Sequence, residues 1–429
     1  MTRVWVKITF AQYLSDMEKK HPESWMMSHG YNPQWSEGSV KTPIFQTSTF
    51  VFKTAAEGKR FFEIAYGKDQ IHEGEQLGLI YSRINNPNLQ ILEERLALWE
   101  GADASATFES GMAAIATTML AYLRPGDVIV CSHPSYGGTH HFVHQVLPQF
   151  GIDCVTFGPN DSLEELYQQI ESKGLIGKVK MVYTETPANP TNHLFDLKGI
   201  NSLKERIAAA SGNEVVYVVD NTYLGPVWQK PMEFGADLVC YSATKYLSGH
   251  SDLIAGVVSG KAQHIVAVKT LRTFLGNMIA PYTAWLLTRS IETLKIRMDQ
   301  QTKNAVEVVQ FLLKHPKVEE VFFPGLPTNS PDQLRIFHEQ CLAPGAMISF
   351  TVKGGESEAF RVLDNCHLIK LAVSLGSNES LAQHPFSMTH ADVPDADKIA
   401  MGITEGMIRL SVGIENAEDL IADLNQALG

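Results

Sequence analysis

The sequence is poor in cysteine and has no long apolar run. Its five cysteines are scattered and odd in number: Cys131, Cys154, Cys240, Cys341 and Cys366. With no CxxC pair among them, neither a disulfide framework nor a zinc site is indicated. No stretch reaches the roughly 20 apolar residues that a membrane-spanning helix needs. The first 20 residues also lack the apolar core of a signal peptide. We therefore expect a cytoplasmic protein.

Positive charge is also in deficit. The chain has 35 Lys and Arg residues against 47 Asp and Glu residues, which gives a net charge of −12 at pH 7. Binding to nucleic acid or to an anionic membrane surface requires a basic face. We therefore expect neither as a partner. At 429 residues the chain is long enough for two or three domains.

From about residue 90, short apolar runs alternate with helical stretches. The runs are Val128–Cys131, Cys154–Phe157, Met181–Tyr183, Val215–Val219, Leu238–Tyr241 and Ala255–Val258. Because they are apolar almost throughout, we expect strands covered on both faces in a mostly parallel sheet. A capping-box pattern at Ser162 to Glu165 predicts a helix between two of these strands. The fold class predicted is therefore α/β.

The pattern divides the chain into three predicted parts. Residues 1–85 show little periodicity and are predicted to form an extended N-terminal arm, which includes a polar segment from Gly67 to Gly78. Residues 86–290 are predicted to form the α/β domain. Residues 291–429 mix helical segments with strand-like runs, and we predict a smaller α+β domain there.

Polar residues follow three neighbouring strands at the points where those strands are predicted to end. The segments are Thr184 to Pro190, Asp220 to Tyr223, and Ser242 to Lys245. In a parallel sheet, ligands bind beyond the carboxyl ends of the strands. An acid, an amide, hydroxyls and a lysine should therefore converge at one edge of the sheet.

Such a set suits pyridoxal 5'-phosphate (PLP). This cofactor needs a lysine for a Schiff base, a carboxylate that keeps the pyridine nitrogen protonated, and donors that hold its phosphate. Lys245 and Asp220 are 25 residues apart, the length of one strand–crossover–strand step. Gly111 lies at the start of a predicted helix, whose free N–H groups could hold the phosphate. His140 and His144 have helical spacing, but without a third ligand we predict no metal site.

Several motifs, in order along the chain, resemble those of the trans-sulfuration, or Cys/Met-metabolism, PLP enzymes. The motifs are Tyr81 to Pro87, Ser110 to Met112, Tyr136 to Thr139, Glu185 to Pro190, Asp220 to Thr222, Ser242 to His250, Ser374 to Gly376 and Arg409 to Gly413. The family includes cystathionine γ-synthase, cystathionine γ-lyase, O-acylhomoserine sulfhydrylase and methionine γ-lyase. Among these, the sequence most resembles methionine γ-lyase. The resemblance implies an aspartate-aminotransferase-type fold (fold type I).

The resemblance also implies roles for the residues around the cofactor ring. Lys245 would form the Schiff base and carry the α-proton between carbons. Asp220 would pair with the pyridinium nitrogen, and Asn189 would contact the ring hydroxyl. Tyr136 would stack on the ring and act as the acid for the leaving group.

The remaining implied roles concern the phosphate, the substrate and a second subunit. The phosphate would be held by Gly111, Met112, Ser242 and Thr244. Arg409 would bind the substrate carboxylate with its planar fork, supported by Ser374. Tyr81 and Arg83 would reach the phosphate of a neighbouring subunit. The implied assembly is a homotetramer built from dimers that share active sites.

Several positions depart from the usual patterns of the family, among them Gly138, Val373, Ile80 and the pair Arg272-Thr273. Methionine γ-lyases usually have a cysteine two residues after the stacking tyrosine, whereas this chain has Gly138. We expect this glycine to leave more room beside Tyr136. Typical cystathionine γ-lyases have a glutamate just before the serine of the Ser-Leu-Gly motif, where this chain has Val373.

The resulting hypothesis is γ-elimination from an L-amino acid that carries a γ-leaving group, giving a 2-oxo acid and ammonia. One alternative is γ-replacement, as in a cystathionine γ-synthase or an O-acylhomoserine sulfhydrylase. Another is a γ-lyase with a non-sulfur leaving group, such as the hydroxyguanidine of canavanine. A catalytically inactive PLP-fold binding module is disfavoured, because Lys245, Asp220, Tyr136 and Arg409 are all present.

Overall fold

The computed structural model describes residues 21–72 and 78–429 of the chain. The interpretation of the first 20 residues lies outside the described part, as does that of residues 73–77 within the polar segment from Gly67 to Gly78.

A seven-stranded sheet occupies the middle of the chain. Its strands are β1 (Ala104–Phe108), β2 (Val128–Ser132), β3 (Asp153–Phe157), β4 (Val179–Glu185), β5 (Val216–Asp220), β6 (Leu238–Ser242) and β7 (Gly256–Gly260). They lie in the order β1-β7-β6-β5-β4-β2-β3. Strands β3, β2, β4, β5 and β6 run parallel, whereas β7 is antiparallel to both β6 and β1.

The apolar runs of the sequence explain most of this sheet. Every residue of β2, β5 and β7 is buried, because helices cover both faces of the sheet. All six predicted runs form strands within a residue or two of the predicted bounds. The edge strand β1 is the one missed in this sheet. It alternates small residues with Ser105 and Thr107, which removes the apolar signal.

A second, smaller sheet lies in the last third of the chain. Its strands are β8 (Val318–Phe322), β9 (Met347–Val352), β10 (Lys370–Leu371), β11 (Leu381–Gln383) and β12 (Met407–Ser411). The order is β10-β11-β12-β9-β8, and every pair except β10 with β11 is antiparallel. The predicted mixture of helices and strands after residue 291 is therefore observed.

Helices connect and cover the strands. They are α1 (Pro22–Trp25), α2 (Ala55–Ala65), α3 (Pro87–Glu100), α4 (Gly111–Tyr122), α5 (Gly137–His141), α6 (Leu163–Ser172), α7 (Leu197–Ser211), α8 (Gly225–Trp228), α9 (Ala262–Leu275), α10 (Pro281–Ile291), α11 (Leu294–Leu312), α12 (Pro331–Gln340), α13 (Gly355–Asp364), α14 (Asp395–Ala400) and α15 (Ala417–Leu428). As predicted, Ser162 caps α6 by accepting a hydrogen bond from the Glu165 N–H. None of the helices in the described residues has the length and hydrophobicity needed to cross a membrane.

A buried ion cluster joins α3 to α9 and β1. Glu93 accepts hydrogen bonds from Arg272 at 2.6 Å and from the N–H and hydroxyl of Thr107 at 3.0 Å, and Lys269 lies 2.6 Å from its other oxygen. Burial alone would raise the pKa of Glu93. The charges of Lys269 and Arg272 outweigh burial and lower this pKa to about 2. The cluster therefore holds Glu93 ionised and stabilises the fold.

We expect Glu93→Gln to destabilise the protein by about 3–5 kcal/mol, because it leaves the buried Arg272 without its counter-charge. The change should appear as a lower Tm at pH 7. The pKa of Glu93 is depressed from an ordinary value near 4.5 to about 2, so its contribution is complete above pH 4.5 and is lost as the pH falls through 2. The Tm difference between wild type and variant should shrink over that window. A difference that stays constant down to pH 2 would contradict this account.

Candidate active site

The carboxyl ends of three adjacent parallel strands form one wall of a cavity of about 230 Å³. Strand β4 ends at Glu185, β5 at Asp220 and β6 at Ser242, and Glu185 pairs directly with Asp220 in the register of the sheet. The structure brings most of the predicted site residues to this cavity: Gly111, Met112, Tyr136, Asn189, Asp220, Ser242, Thr244, Lys245 and Arg409.

Lys245 lies on the loop between β6 and the antiparallel β7. The loop is fixed at its base, where the Thr244 N–H donates to the Ala255 carbonyl at 3.2 Å and the Ala255 N–H donates to the Thr244 hydroxyl at 3.0 Å. Burial, and then the charge of Arg409, lowers the pKa of the Lys245 amine to about 8. A larger fraction of neutral amine is then present near neutral pH, as a nucleophile or general base requires.

Asp220 is 5% exposed and both of its carboxyl oxygens accept hydrogen bonds. The Thr222 hydroxyl and N–H donate to Oδ1 at 2.6 and 3.0 Å, and the Tyr183 hydroxyl donates to Oδ2 at 3.2 Å. Burial raises the pKa of Asp220, while the bonds from Thr222 and Tyr183 oppose the shift. A positively charged group bound beside this carboxylate would favour its ionised form.

The start of α4 forms another wall of the cavity. Ser110 caps the helix by accepting from the Ala113 N–H at 3.0 Å, and Gly111 and Met112 are the first two helical residues. The N–H groups of these first helical residues have no acceptor within the helix, and groups of this kind bind anions. A Cβ atom at Gly111 would lie 2.9 Å from Cβ of Ser242, so only glycine allows α4 to begin this close to the end of β6.

Arg409, on β12 of the small sheet, is buried and lines the same cavity. It donates to Oδ1 of Asn189 at 3.1 Å and to the carbonyls of Val373 and Ser374 at 2.9 and 3.1 Å. Its Nε is buried and has no hydrogen-bond partner among the described residues. Ser374 also accepts from Lys245 Nζ at 3.1 Å, which places the amine beside the arginine.

Tyr136 is 43% exposed and precedes α5. A Cβ atom at Gly138 would lie 2.6 Å from Cε1 of the Tyr136 ring and 3.1 Å from Sδ of Met112. Gly138 thus leaves room beside Tyr136, as expected, but the tyrosine ring itself occupies that space. Gly138 is what permits this position of the ring.

Three residues that contribute to the site were not among the site residues predicted from the sequence. Glu185 lines the cavity and accepts hydrogen bonds from the N–H groups of Tyr136 and Asn189. Thr222 and Tyr183 fix Asp220. Glu185 and Thr222 lie in motifs that the sequence displays, and Tyr183 ends an apolar run, but each acts through a contact that only folding creates.

Tyr81 and Arg83 do not line the cavity. Arg83 donates to the Thr273 carbonyl at 2.7 Å, and its guanidinium lies 5.8 Å from the centre of the Tyr81 ring, which is itself 40% exposed. Neither side chain thus contributes to the cavity of its own chain.

The cavity fits PLP on the observations above. It contains the buried Asp220, whose ionised form a cationic ligand would stabilise, and Lys245, whose pKa is lowered. It also contains the start of α4, where backbone N–H groups are free to bind an anion. The expected partners of the ring are Asp220, Asn189 and Tyr136. The expected partners of the phosphate are Gly111, Met112, Ser242 and Thr244. Of these, the Thr244 hydroxyl is also bonded to Ala255.

Comparisons with known proteins agree with this fit. Residues 23–429 match the sequence model of the family described as Cys/Met metabolism PLP-dependent enzyme. The L-methionine gamma-lyase of Porphyromonas gingivalis is 43% identical over 402 residues, which cover 93% of this chain and 95% of that protein. The cystathionine gamma-lyase of Rattus norvegicus is 36% identical over 396 residues, or 92% of each chain.

Solved structures give the same result for the fold. A cystathionine gamma synthase from Xanthomonas oryzae pv. oryzae, in complex with aminoacrylate and cysteine, superposes with a TM-score of 0.84 at 33% identity. The match covers 95% of this chain and 98% of that one. The predicted α/β fold of the aspartate-aminotransferase type and the predicted cofactor are thereby confirmed.

We expect Asp220→Asn to fold but to slow removal of the substrate α-proton by orders of magnitude, since the amide keeps the shape and loses the charge that holds the ring proton. Exchange of the α-proton in D₂O, followed by NMR, measures this step apart from later ones. Circular dichroism and Tm check the fold. Near-normal exchange in a folded, cofactor-loaded variant would show that Asp220 does not have this role.

Proposed function

The chain belongs to the Cys/Met metabolism PLP-dependent enzymes, and from this premise we propose that it eliminates the γ-substituent of an L-amino acid. The proposed products are a 2-oxo acid and ammonia, as expected for an enzyme similar to methionine γ-lyase. Relatives of that name, 40–43% identical over more than nine-tenths of this chain, support the proposal.

One observation carries the proposal in structural terms. Lys245 Nζ lies 3.1 Å from the Ser374 hydroxyl, and the Ser374 carbonyl accepts from Arg409. A substrate whose carboxylate is bound by Arg409 would therefore present its α-carbon, and next to it its β-carbon, to the lysine amine. A γ-substituent can leave only after protons have been removed from both carbons, so one mobile base beside both is what the reaction needs.

Each residue then has a defined task. The bound cofactor supplies an electron sink for the charge that proton removal leaves on the substrate. Arg409, which lines the cavity, orients the substrate by binding its carboxylate with the planar guanidinium. Lys245 removes the α-proton, passes that proton on to another carbon and, as a neutral amine again, removes a β-proton. Its lowered pKa favours the neutral form that each removal needs. Tyr136 donates a proton to the departing group, so that the methylthio group of methionine would leave as methanethiol.

A second candidate function is γ-replacement, in which a thiol adds at Cγ. In elimination, by contrast, reaction with water releases a 2-oxo acid and ammonia. Gly138 favours γ-replacement, because methionine γ-lyases usually have a cysteine at this position, whereas many synthases and sulfhydrylases have a glycine. The structural likeness to a cystathionine gamma synthase also fits. We nevertheless place elimination first, because relatives that are 40–43% identical to this chain are named L-methionine gamma-lyase.

A substrate panel decides between these functions. We expect 2-oxobutanoate and ammonia from methionine or a homoserine derivative without added thiol, because Lys245 and Tyr136 suffice for elimination. The panel comprises methionine, O-acetylhomoserine, O-succinylhomoserine, cystathionine and canavanine, each with and without cysteine or sulfide. Lys245→Ala is the blank and should lower kcat by about 10²–10⁴-fold. Turnover that strictly requires a thiol would overturn elimination in favour of a synthase.

We also propose that the chain forms a homotetramer, built from dimers that share active sites. Within each chain, we propose that residues 1–85 form an arm, residues 86–290 the cofactor domain and residues 291–429 the small domain. Tyr81 and Arg83 support this arrangement, because they stand outside their own cavity although their motif belongs to the cofactor site of the family. A cytoplasmic location belongs to the same proposal, and cell fractionation tests it.

Subunit mixing tests the shared site. Arg83→Ala and Lys245→Ala chains should each be inactive, and their mixture should recover about a quarter of wild-type activity, because half of randomly reassorted dimers are hybrids with one intact site of two. Mixing Lys245→Ala with Asp220→Asn is the matched control and should recover nothing, since both residues belong to the same chain's cavity. Absence of recovery in the first mixture, with exchange demonstrated by mass, would mean that a single chain builds each site.

A further inference from the structure

Glu185 is a buried acid in the cavity to which the reaction assigns no task. It is 5% exposed at the end of β4. Its Oε2 accepts the N–H of Tyr136 at 2.7 Å, and its Oε1 accepts the N–H of Asn189 at 3.0 Å. Its own N–H donates to the hydroxyl of Ser132 at 2.9 Å, which fixes the base of the side chain.

The two backbone groups that Glu185 binds belong to two different loops. Tyr136 follows β2, and Asn189 follows β4; both are expected to contact the cofactor ring. One carboxylate therefore sets the distance between these two residues. Because both donors are N–H groups, both side-chain oxygens must accept. A carboxylate does this, whereas the amide of glutamine would turn its NH₂ group toward one of the two donors.

The charge of Glu185 matters as well as its shape. Glu185 and Asp220 stand opposite each other on adjacent strands. Burial and the charge of Asp220 raise the pKa of Glu185, while the two backbone hydrogen bonds and Arg409 oppose the shift. The titratable and charged groups that act on Glu185 or feel its charge are Asp220, Arg409, Tyr183, Tyr223 and Cys131. Because the pKa values of both acids are raised, both are ionised together only when a positive charge such as a bound cationic ring lies beside them.

We propose that Glu185 is a positioning residue that holds Tyr136 and Asn189 in register against the cofactor and adds a second negative charge beside Asp220. The proposal rests on the cofactor and on the ring contacts proposed above, but not on which amino acid is the substrate. It assigns Glu185 no proton transfer. Its consequences appear in the holoenzyme before any substrate is added.

The test compares Glu185→Gln with wild type in cofactor binding and in the pH titration of the cofactor's visible absorption band, both without substrate. We expect binding of pyridoxal phosphate to weaken about tenfold or more, because one buried N–H loses its acceptor. We also expect the titration midpoint to fall by about one pH unit, because a nearby negative charge no longer favours the protonated chromophore. Wild-type values of both quantities would overturn the proposal, whatever happens to the Tm.

Asp423→Asn is the matched control. Asp423 is also a buried acid, and its hydrogen bonds within the described part of the chain come from backbone N–H groups and a glutamine side chain. It accepts from His367, Leu368 and Ile369 at 2.8–2.9 Å, but it lies on α15 and does not line the cavity. This variant should lower the Tm and leave both cofactor quantities unchanged. If it shifted them as Glu185→Gln does, a general loss of packing would explain both variants and the proposal would fall.

Glu185→Asp separates the effect of the charge from the effect of side-chain length. It also tests the positioning role of Glu185 if Glu185→Gln does not fold. The shorter side chain keeps the charge but cannot span both N–H groups. We therefore expect weaker cofactor binding with a wild-type titration midpoint. Wild-type binding by this variant would show that the bridge between Tyr136 and Asn189 is not needed. Failure of methionine turnover would leave these readouts untouched, so the two proposals fail separately.

Discussion

Strands β4, β5 and β6 run parallel and are buried on both faces, and the alignment of their carboxyl ends is the constraint on which the site depends. Glu185, Asp220 and Ser242 are the last residues of these strands. Because successive side chains on a strand point to opposite faces, a slip of one residue would turn Asp220 away from the cavity. The apolar residues that precede it fix the register by being buried. The packing of the core therefore determines where the chemistry can occur.

The contrast between two sets of buried charges shows which of them serve stability. Glu93 is compensated by Lys269 and Arg272, and its pKa lies far below the ordinary range. Asp220, Glu185 and Lys245 are shifted in the opposite sense, toward their neutral forms, because their protein partners do not offset burial. Groups left in this condition within a cavity are poised for a charged ligand. In the cavity the fold therefore accepts the free-energy cost of burying ionisable groups without counter-charges. Between α3 and α9, Lys269 and Arg272 offset that cost for Glu93.

Much of this arrangement was predictable, because it depends on local patterns. Apolar runs gave β2 to β7, and the polar residues after them gave Asp220, Asn189 and Lys245. Strand β1 escaped notice because hydrogen bonding to β7, rather than hydrophobicity, makes it a strand. Glu185 escaped because its partners are backbone atoms of loops. The position of the Tyr136 ring over Gly138 could not be predicted either, since it depends on a side-chain rotamer that no motif records.

The antiparallel strand β7 has a consequence for the order in which the protein folds. The loop that carries Lys245 is held between β6 and β7, and β7 in turn lies between β6 and β1, with Gly260 paired to Ala104. The sheet that frames this loop is therefore complete only when chain segments more than 150 residues apart have met. Pairings of such high contact order form slowly. We therefore expect cofactor capture to come late in folding, in a nearly complete domain rather than in a growing chain.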